Sequence, residues 1–166
     1  MAFPGWNQPG VMGAAALRIL LERYDAFAGR RVLIAGSHDL ALETALLALD
    51  KGLEVASLIE VRDAPQGDPA LIGKLADAGI AITCGCWPVE ACGGIDGVER
   101  VILSDGSEVE CDTLVMAIGL VPSIELNDAM NAARTFDPRR GGWIPQGDVA
   151  ISAVGLCAGL PDTGFA

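Results

Sequence analysis

An α/β fold, a parallel sheet with flanking helices and a small antiparallel β-meander inserted late in the chain, is predicted by three observations. The first is the run "RVLIAGSHDLALETALLALDKGLEVASLIE", Arg31 to Glu60. A short apolar strand passes through Gly36 into a helix, and the helix returns to a second apolar strand, as a right-handed parallel crossover requires. The second is that the same order repeats, with another helix and strand between Asp68 and Thr83. The third is a change of pattern after Cys84, to short alternating runs separated by glycine-rich turns.

The elements follow in order. "MAFPGWNQPGVM" holds two prolines and two glycines and reads as a connector, residues 1–12, entering the domain rather than as part of its core. From Gly13 to about Phe27 the residues Ala14, Leu17, Leu20, Leu21 and Tyr24 recur at helical spacing, and Gly29 is expected to end that helix. Arg31–Ala35 is a buried strand, Asp39–Lys51 a helix apolar on almost every side, and Val55–Glu60 the second strand. Asp68 caps a helix over Pro69–Ala78, with proline suitably at its first position. Ile80–Thr83 is the third parallel strand. "SDGS" between "VERVIL" and "EVECD" signals a hairpin. Thr113–Ala117 returns to the parallel sheet. The main domain is placed at 13–127, and the polar, turn-rich stretch 128–166 is a tail that ends with the apolar run "VAISAVGLCAGL".

Composition narrows the function. The chain has 166 residues and a formal net charge of −11. Nucleic acid and anionic membrane surfaces both need a basic face, so neither is an expected partner. The most apolar N-terminal stretch, "VMGAAALRILL", is interrupted by Arg18, is too short to span and follows no basic region, so a cytoplasmic setting is expected. Five cysteines, Cys84, Cys86, Cys92, Cys111 and Cys157, do not make a disulfide framework. "TCGCW" is C-x-C, with no second pair at zinc spacing. Buried or half-buried strand thiols are expected, with no metal site, and a redox or metal role at Cys84 and Cys86 is the alternative.

The chemistry sits at "GSHDLA". A dinucleotide-binding turn asks for one glycine to turn tightly, a second to let the pyrophosphate reach the backbone, and a third to pack helix on strand. Gly36 supplies the first and Ala41 takes the third place. His38, the only histidine, stands at the second. An imidazole there takes room a diphosphate would use, although a protonated His38 would pair with a phosphate and Ser37 would donate a hydroxyl bond. Glu60 follows Gly36 by 24 residues. An acid at that place hydrogen-bonds the adenine-ribose hydroxyls and repels a 2′-phosphate, which favours NAD over NADP. Arg62 is the one hint of NADP, and reads more readily as a solvated charge opening a loop. No general acid, base or nucleophile stands out, so no catalytic residue is assigned.

These stretches together carry a resemblance. "FPGWNQPGVMGAAALRILL", "GRRVLIAGSHDLALETALLAL" and "GVERVILSDGSEVECDTLVMAIGLVPS" resemble the NAD-binding module of FAD/NAD(P)-dependent enzymes of the pyridine nucleotide-disulfide oxidoreductase superfamily. Within it, the flavoprotein subunits of opine oxidase, hydrogen cyanide synthase and amine dehydrogenases are the most similar branch. The resemblance implies a Rossmann-like domain that positions nicotinamide for hydride exchange with a flavin. It implies Gly36, Ser37, His38 and Ala41 at the pyrophosphate, Glu60 at the ribose, Gly119 at the nicotinamide end, and Asp39 as a helix N-cap. The family's FAD fingerprint is missing, and "VGLCAGLPD" carries Leu160 where the second FAD motif has an acid. FAD is therefore expected only through an absent domain or a partner flavoprotein chain, and turnover is not expected of the chain alone. A Rossmann-like scaffold or subunit-contact module without nucleotide, in a homo-oligomer or larger complex, is the alternative.

Overall fold

A computed structural model describes residues 2–119, 121–138 and 141–146. The chain divides into two compact units, Met1–Ile118 and Gly119–Ala166. The first unit holds β1 (Val11–Gly13), α1 (Ala14–Ile19), β2 (Arg31–Ala35), α2 (Asp39–Asp50), β3 (Glu54–Glu60), α3 (Pro69–Asp77) and β4 (Ile82–Cys84). It continues with β5 (Pro88–Gly94), β6 (Gly97–Leu103), β7 (Glu108–Glu110) and β8 (Thr113–Met116).

Five strands form one parallel sheet in the order β1-β8-β2-β3-β4. Its two faces are covered differently, and β2 shows why. Val32 and Ile34 pack into a cluster with Ala14 and Leu17 of α1, Leu42 and Ala45 of α2 and Leu75 of α3. Leu33 and Ala35, alternating with them, pack against Ala91, Val98 and Val101 of the antiparallel β5-β6-β7 sheet. All three helices therefore lie on one face and the meander on the other. A strand buried on both sides has to be apolar at every position, and "VLIA" is. The fold is Rossmann-like, with the small antiparallel sheet the sequence predicts.

Three details differ from expectation. Residues 3–10 do more than connect: Phe3 is buried with the meander, and Pro4 and Pro9 accept backbone bonds from Ala91 and Val98. Val11–Gly13 then adds an edge strand beside β8. Gly29 does not end the first helix. After Ile19 that helix widens into a π-turn over Leu20–Tyr24, and Asp25 closes it in the left-handed conformation, φ 46°. Gly29 is glycine for another reason, because a Cβ there would lie 2.7 Å from Thr113 Oγ1.

The hairpin at Ser104–Ser107 forms as predicted. Gly106 adopts φ 84°, and the Asp105 carboxylate accepts both the amide and the hydroxyl of Ser107. At the other end of the sheet, Asp112 accepts the amides of Arg30 (2.7 Å) and Arg31 (3.2 Å), which ties the start of β8 to the start of β2.

In the second unit the described residues form α4 (Glu125–Ala129) and an antiparallel hairpin of β9 (Arg134–Asp137) with β10 (Gly142–Pro145). Phe136 and Trp143 meet edge to face at 5.4 Å, and the Arg134 guanidinium lies 5.3 Å from the Trp143 ring. The run 149–160, with its comparison to an FAD motif, and Cys157 lie outside the described residues. Among the described residues no helix is long and apolar enough to cross a membrane.

Candidate functional site

The site is built where β2, β3 and β8 end on the same edge of the sheet. The crevice outside the carboxyl ends of parallel strands is where this class of sheet binds ligands. Gly36 leaves β2 at φ 124°, a region open essentially to glycine, and its amide bonds the Ile59 carbonyl at 2.8 Å. A Cβ on Gly36 would collide with the carbonyl of Ala117 just past β8, whose own amide bonds Ala35 O at 2.7 Å. The first glycine of the motif is thus required by the backbone itself.

His38, not Asp39, is the N-cap residue of α2, a correction to the expected cap. Its carbonyl accepts the amides of Ala41 (2.8 Å) and Leu42 (3.1 Å), while its side chain caps nothing. The half-buried imidazole bonds the backbone of Ala117 instead, one strand over. Burial lowers its pKa below the ordinary 6.5, against the opposing effects of that bond and of the Glu60 and Asp39 charges. Burial thus favours the neutral ring. Ala41 is fully buried beneath the helix–sheet contact, where the third glycine's small size is needed.

Asp39 opens α2 and accepts the amide of Asp68 at 2.7 Å. Asp68 in turn caps α3 by accepting the amide of Ala70 at 2.8 Å. The Asp39 carboxylate therefore fastens the end of the 61–68 loop to the start of α2.

Glu60 ends β3 beside the glycine turn. It is only 6% exposed, and both carboxylate oxygens are engaged. Oε2 accepts the Ser37 hydroxyl at 2.5 Å, and Oε1 accepts the Arg62 amide at 2.9 Å. Ser37 Oγ also accepts the amide of Gln66 at 3.0 Å. The Arg62 side chain bonds Gln66 Oε1 within the same loop. Structure thus brings Gly36, Ser37, His38, Ala41 and Glu60 into one neighbourhood. Gly119 belongs to the second unit, where it has φ 130° and open space around the place of a Cβ.

The Ser37–Glu60 pair and the loop ties were not anticipated from sequence. A short polar residue after the motif's first glycine, an acid closing the next strand and an eight-residue loop were the available signals.

The C-x-C pair lies beyond this edge. Cys84 pairs in register with Glu60, and the Cys86 amide bonds the Glu60 carbonyl at 3.0 Å. Cys86 and Cys111 are buried and Cys84 and Cys92 half-buried, with all four thiols shifted upward, chiefly by burial. Thiols held protonated are poor nucleophiles and poor metal ligands. Among the described residues no three potential ligands converge.

Known proteins are similar to this chain in sequence and in fold. The profile of the family described as pyridine nucleotide-disulphide oxidoreductase matches residues 7–148. Rhodocoxin reductase of Rhodococcus erythropolis is 30% identical over 179 aligned positions, covering 98% of this chain and 40% of its own. Sarcosine oxidase subunit alpha of Corynebacterium sp. (strain P-1) is 26% identical, covering 100% of this chain and 18% of its own. Among solved structures, a ferredoxin reductase from Rhodopseudomonas palustris superposes with a TM-score of 0.66 at 26% identity, over 81% of this chain and 35% of that one. The chain thus spans well under half the length of these relatives. With the parallel sheet, the meander and the glycine turn in place, the chain belongs to the pyridine nucleotide-disulphide oxidoreductase family.

Proposed function

We propose that the chain is the NAD(H)-binding module of an FAD-dependent oxidoreductase of the opine oxidase and amine dehydrogenase kind, acting in the cytoplasm. The flavin would be held by another domain or by a partner flavoprotein chain. The observation that carries the reading is the placement of Glu60 beside the Gly36 turn, joined to it through Ser37. That juxtaposition sets a carboxylate next to the start of α2, where an acid that reads the ribose would stand. The first amides of a helix have no intrahelical partner and favour an anion.

The residues fit the group in kind. Gly36 gives the close backbone passage, the first turn of α2 faces the pyrophosphate, and Ser37 and His38 line the turn, with the Ser37 hydroxyl held by Glu60. Ala41 keeps α2 close to the sheet. Glu60 would accept the ribose hydroxyls and disfavour a 2′-phosphate. Gly119, which the family resemblance assigns to the nicotinamide end, has the conformation of a position reserved for glycine. A bound nicotinamide supplies hydride transfer, and the protein's share is to bind and orient it.

The burial of Glu60 favours a second reading, a Rossmann-like scaffold or subunit-contact module, including contact with a second copy. Calorimetric titration separates the two. The nucleotide reading predicts saturable NADH binding, weaker NADPH binding, and a loss of about tenfold in NADH affinity in Glu60→Ala. No heat with either nucleotide at millimolar concentration would leave the scaffold.

A further inference from the structure

We infer that Ser37 and Asp39 are positioning residues of a latch that holds the 61–68 loop across Glu60 and thereby sets the affinity of the nucleotide site; the inference rests on the NAD(H) reading. Three bonds pin the loop to the crevice edge. Arg62 N donates to Glu60 Oε1 (2.9 Å), Gln66 N to Ser37 Oγ (3.0 Å) and Asp68 N to Asp39 Oδ1 (2.7 Å). The loop also presses closely on the glycine turn. A Cβ on Gly67 would lie 2.5 Å from Leu42 Cδ1, 2.9 Å from Asp39 Oδ1 and 2.9 Å from Ser37 O. Inside the loop, Gln66 bonds Arg62 and the Ala64 carbonyl, so the segment is braced within itself.

A ribose diol has to donate to the Glu60 carboxylate, and that carboxylate is covered. Its oxygens already accept from Ser37 and from the loop, and the residue is 6% exposed. The acceptor sites left on it are shut from solvent, so binding requires the loop to lift. The latched form is then the non-binding member of a two-state pair, and the measured dissociation constant is the intrinsic one divided by the open fraction. Weakening a tie raises that fraction.

The test compares Ser37→Ala, Asp39→Ala and Asp39→Asn with the unaltered chain, reading NADH affinity by calorimetry and amide exchange at Gln66 and Asp68. Asp39→Asn removes the charge but keeps an oxygen for the Asp68 amide. The latch predicts NADH binding about three- to tenfold tighter in Ser37→Ala and Asp39→Ala. Asp39→Asn should tighten binding less than Asp39→Ala. Saturating NADH should accelerate exchange at Gln66 and Asp68 in the unaltered chain. Measurable but equal binding in all four proteins, or slower exchange at these amides with NADH, overturns the latch and leaves the nucleotide reading standing. Absence of binding in all four at millimolar NADH overturns both.

Discussion

The carbonyl of Ala117 stands where a Cβ of Gly36 would lie. This one approach joins β2 to β8 at the edge where the site forms, and it fixes what residue 36 can be. Both the φ of 124° and the space exclude a side chain.

Gly36→Ala is therefore expected to lower folding stability by about 3 kcal/mol or more, combining backbone strain with a clash inside the sheet. Urea denaturation should show a lower midpoint with an unchanged slope. A midpoint equal to that of the unaltered chain would mean that β2 and β8 end further apart.

His38 predicts a pH dependence of definite sign. Burial lowers its folded-state pKa below 6.5, so below that pH the unfolded chain binds more protons than the folded one. The contribution is complete above pH 6.5 and is lost as pH falls through the folded pKa. NMR titration should place the imidazole midpoint below 6.5. In His38→Gln the corresponding part of the stability–pH curve should flatten. His38→Gly, which clears the second-glycine place, should tighten NADH binding; unchanged or weaker binding would show that the ring does not stand in the ligand's way.

Cys111 is buried, and its thiol is pushed up to about 11, mainly by burial and by the Asp112 charge beside it. Alkylation with iodoacetamide at pH 8 and peptide mapping should leave Cys111 unmodified in the folded chain and label it rapidly in urea. Labelling at the same rate in both would contradict the packing of β8 against the meander.

How much of this was legible in the sequence follows from what each element depends on. The crossover from Arg31 to Glu60 is written in local pattern: an apolar strand, a glycine, a helix and a second strand, each with its own period. The β6–β7 hairpin was equally plain, since Asp105 and Gly106 carry the turn in their own conformations. Val11–Gly13 has no signature in the sequence, since three residues carry no periodicity; only pairing with Leu114–Met116 makes them a strand. Asp25 closes the first helix in a conformation that glycine more often takes, which is why Gly29 drew attention. The β9–β10 hairpin has the sequence of a polar tail, in which only Phe136, Trp143 and Ile144 break the run. At the site, spacing alone was enough to expect Gly36 and Glu60 side by side at the sheet edge. That Ser37 and the 61–68 loop close over Glu60 is a tertiary fact with no local signature.

The most direct measurement is a crystal of this chain soaked in NADH. The account predicts pyrophosphate density against the first turn of α2 just past Gly36, ribose hydroxyls on Glu60, and the 61–68 loop displaced. An imidazole of His38 filling that crevice, with the loop in place and no nucleotide beside it, would contradict it.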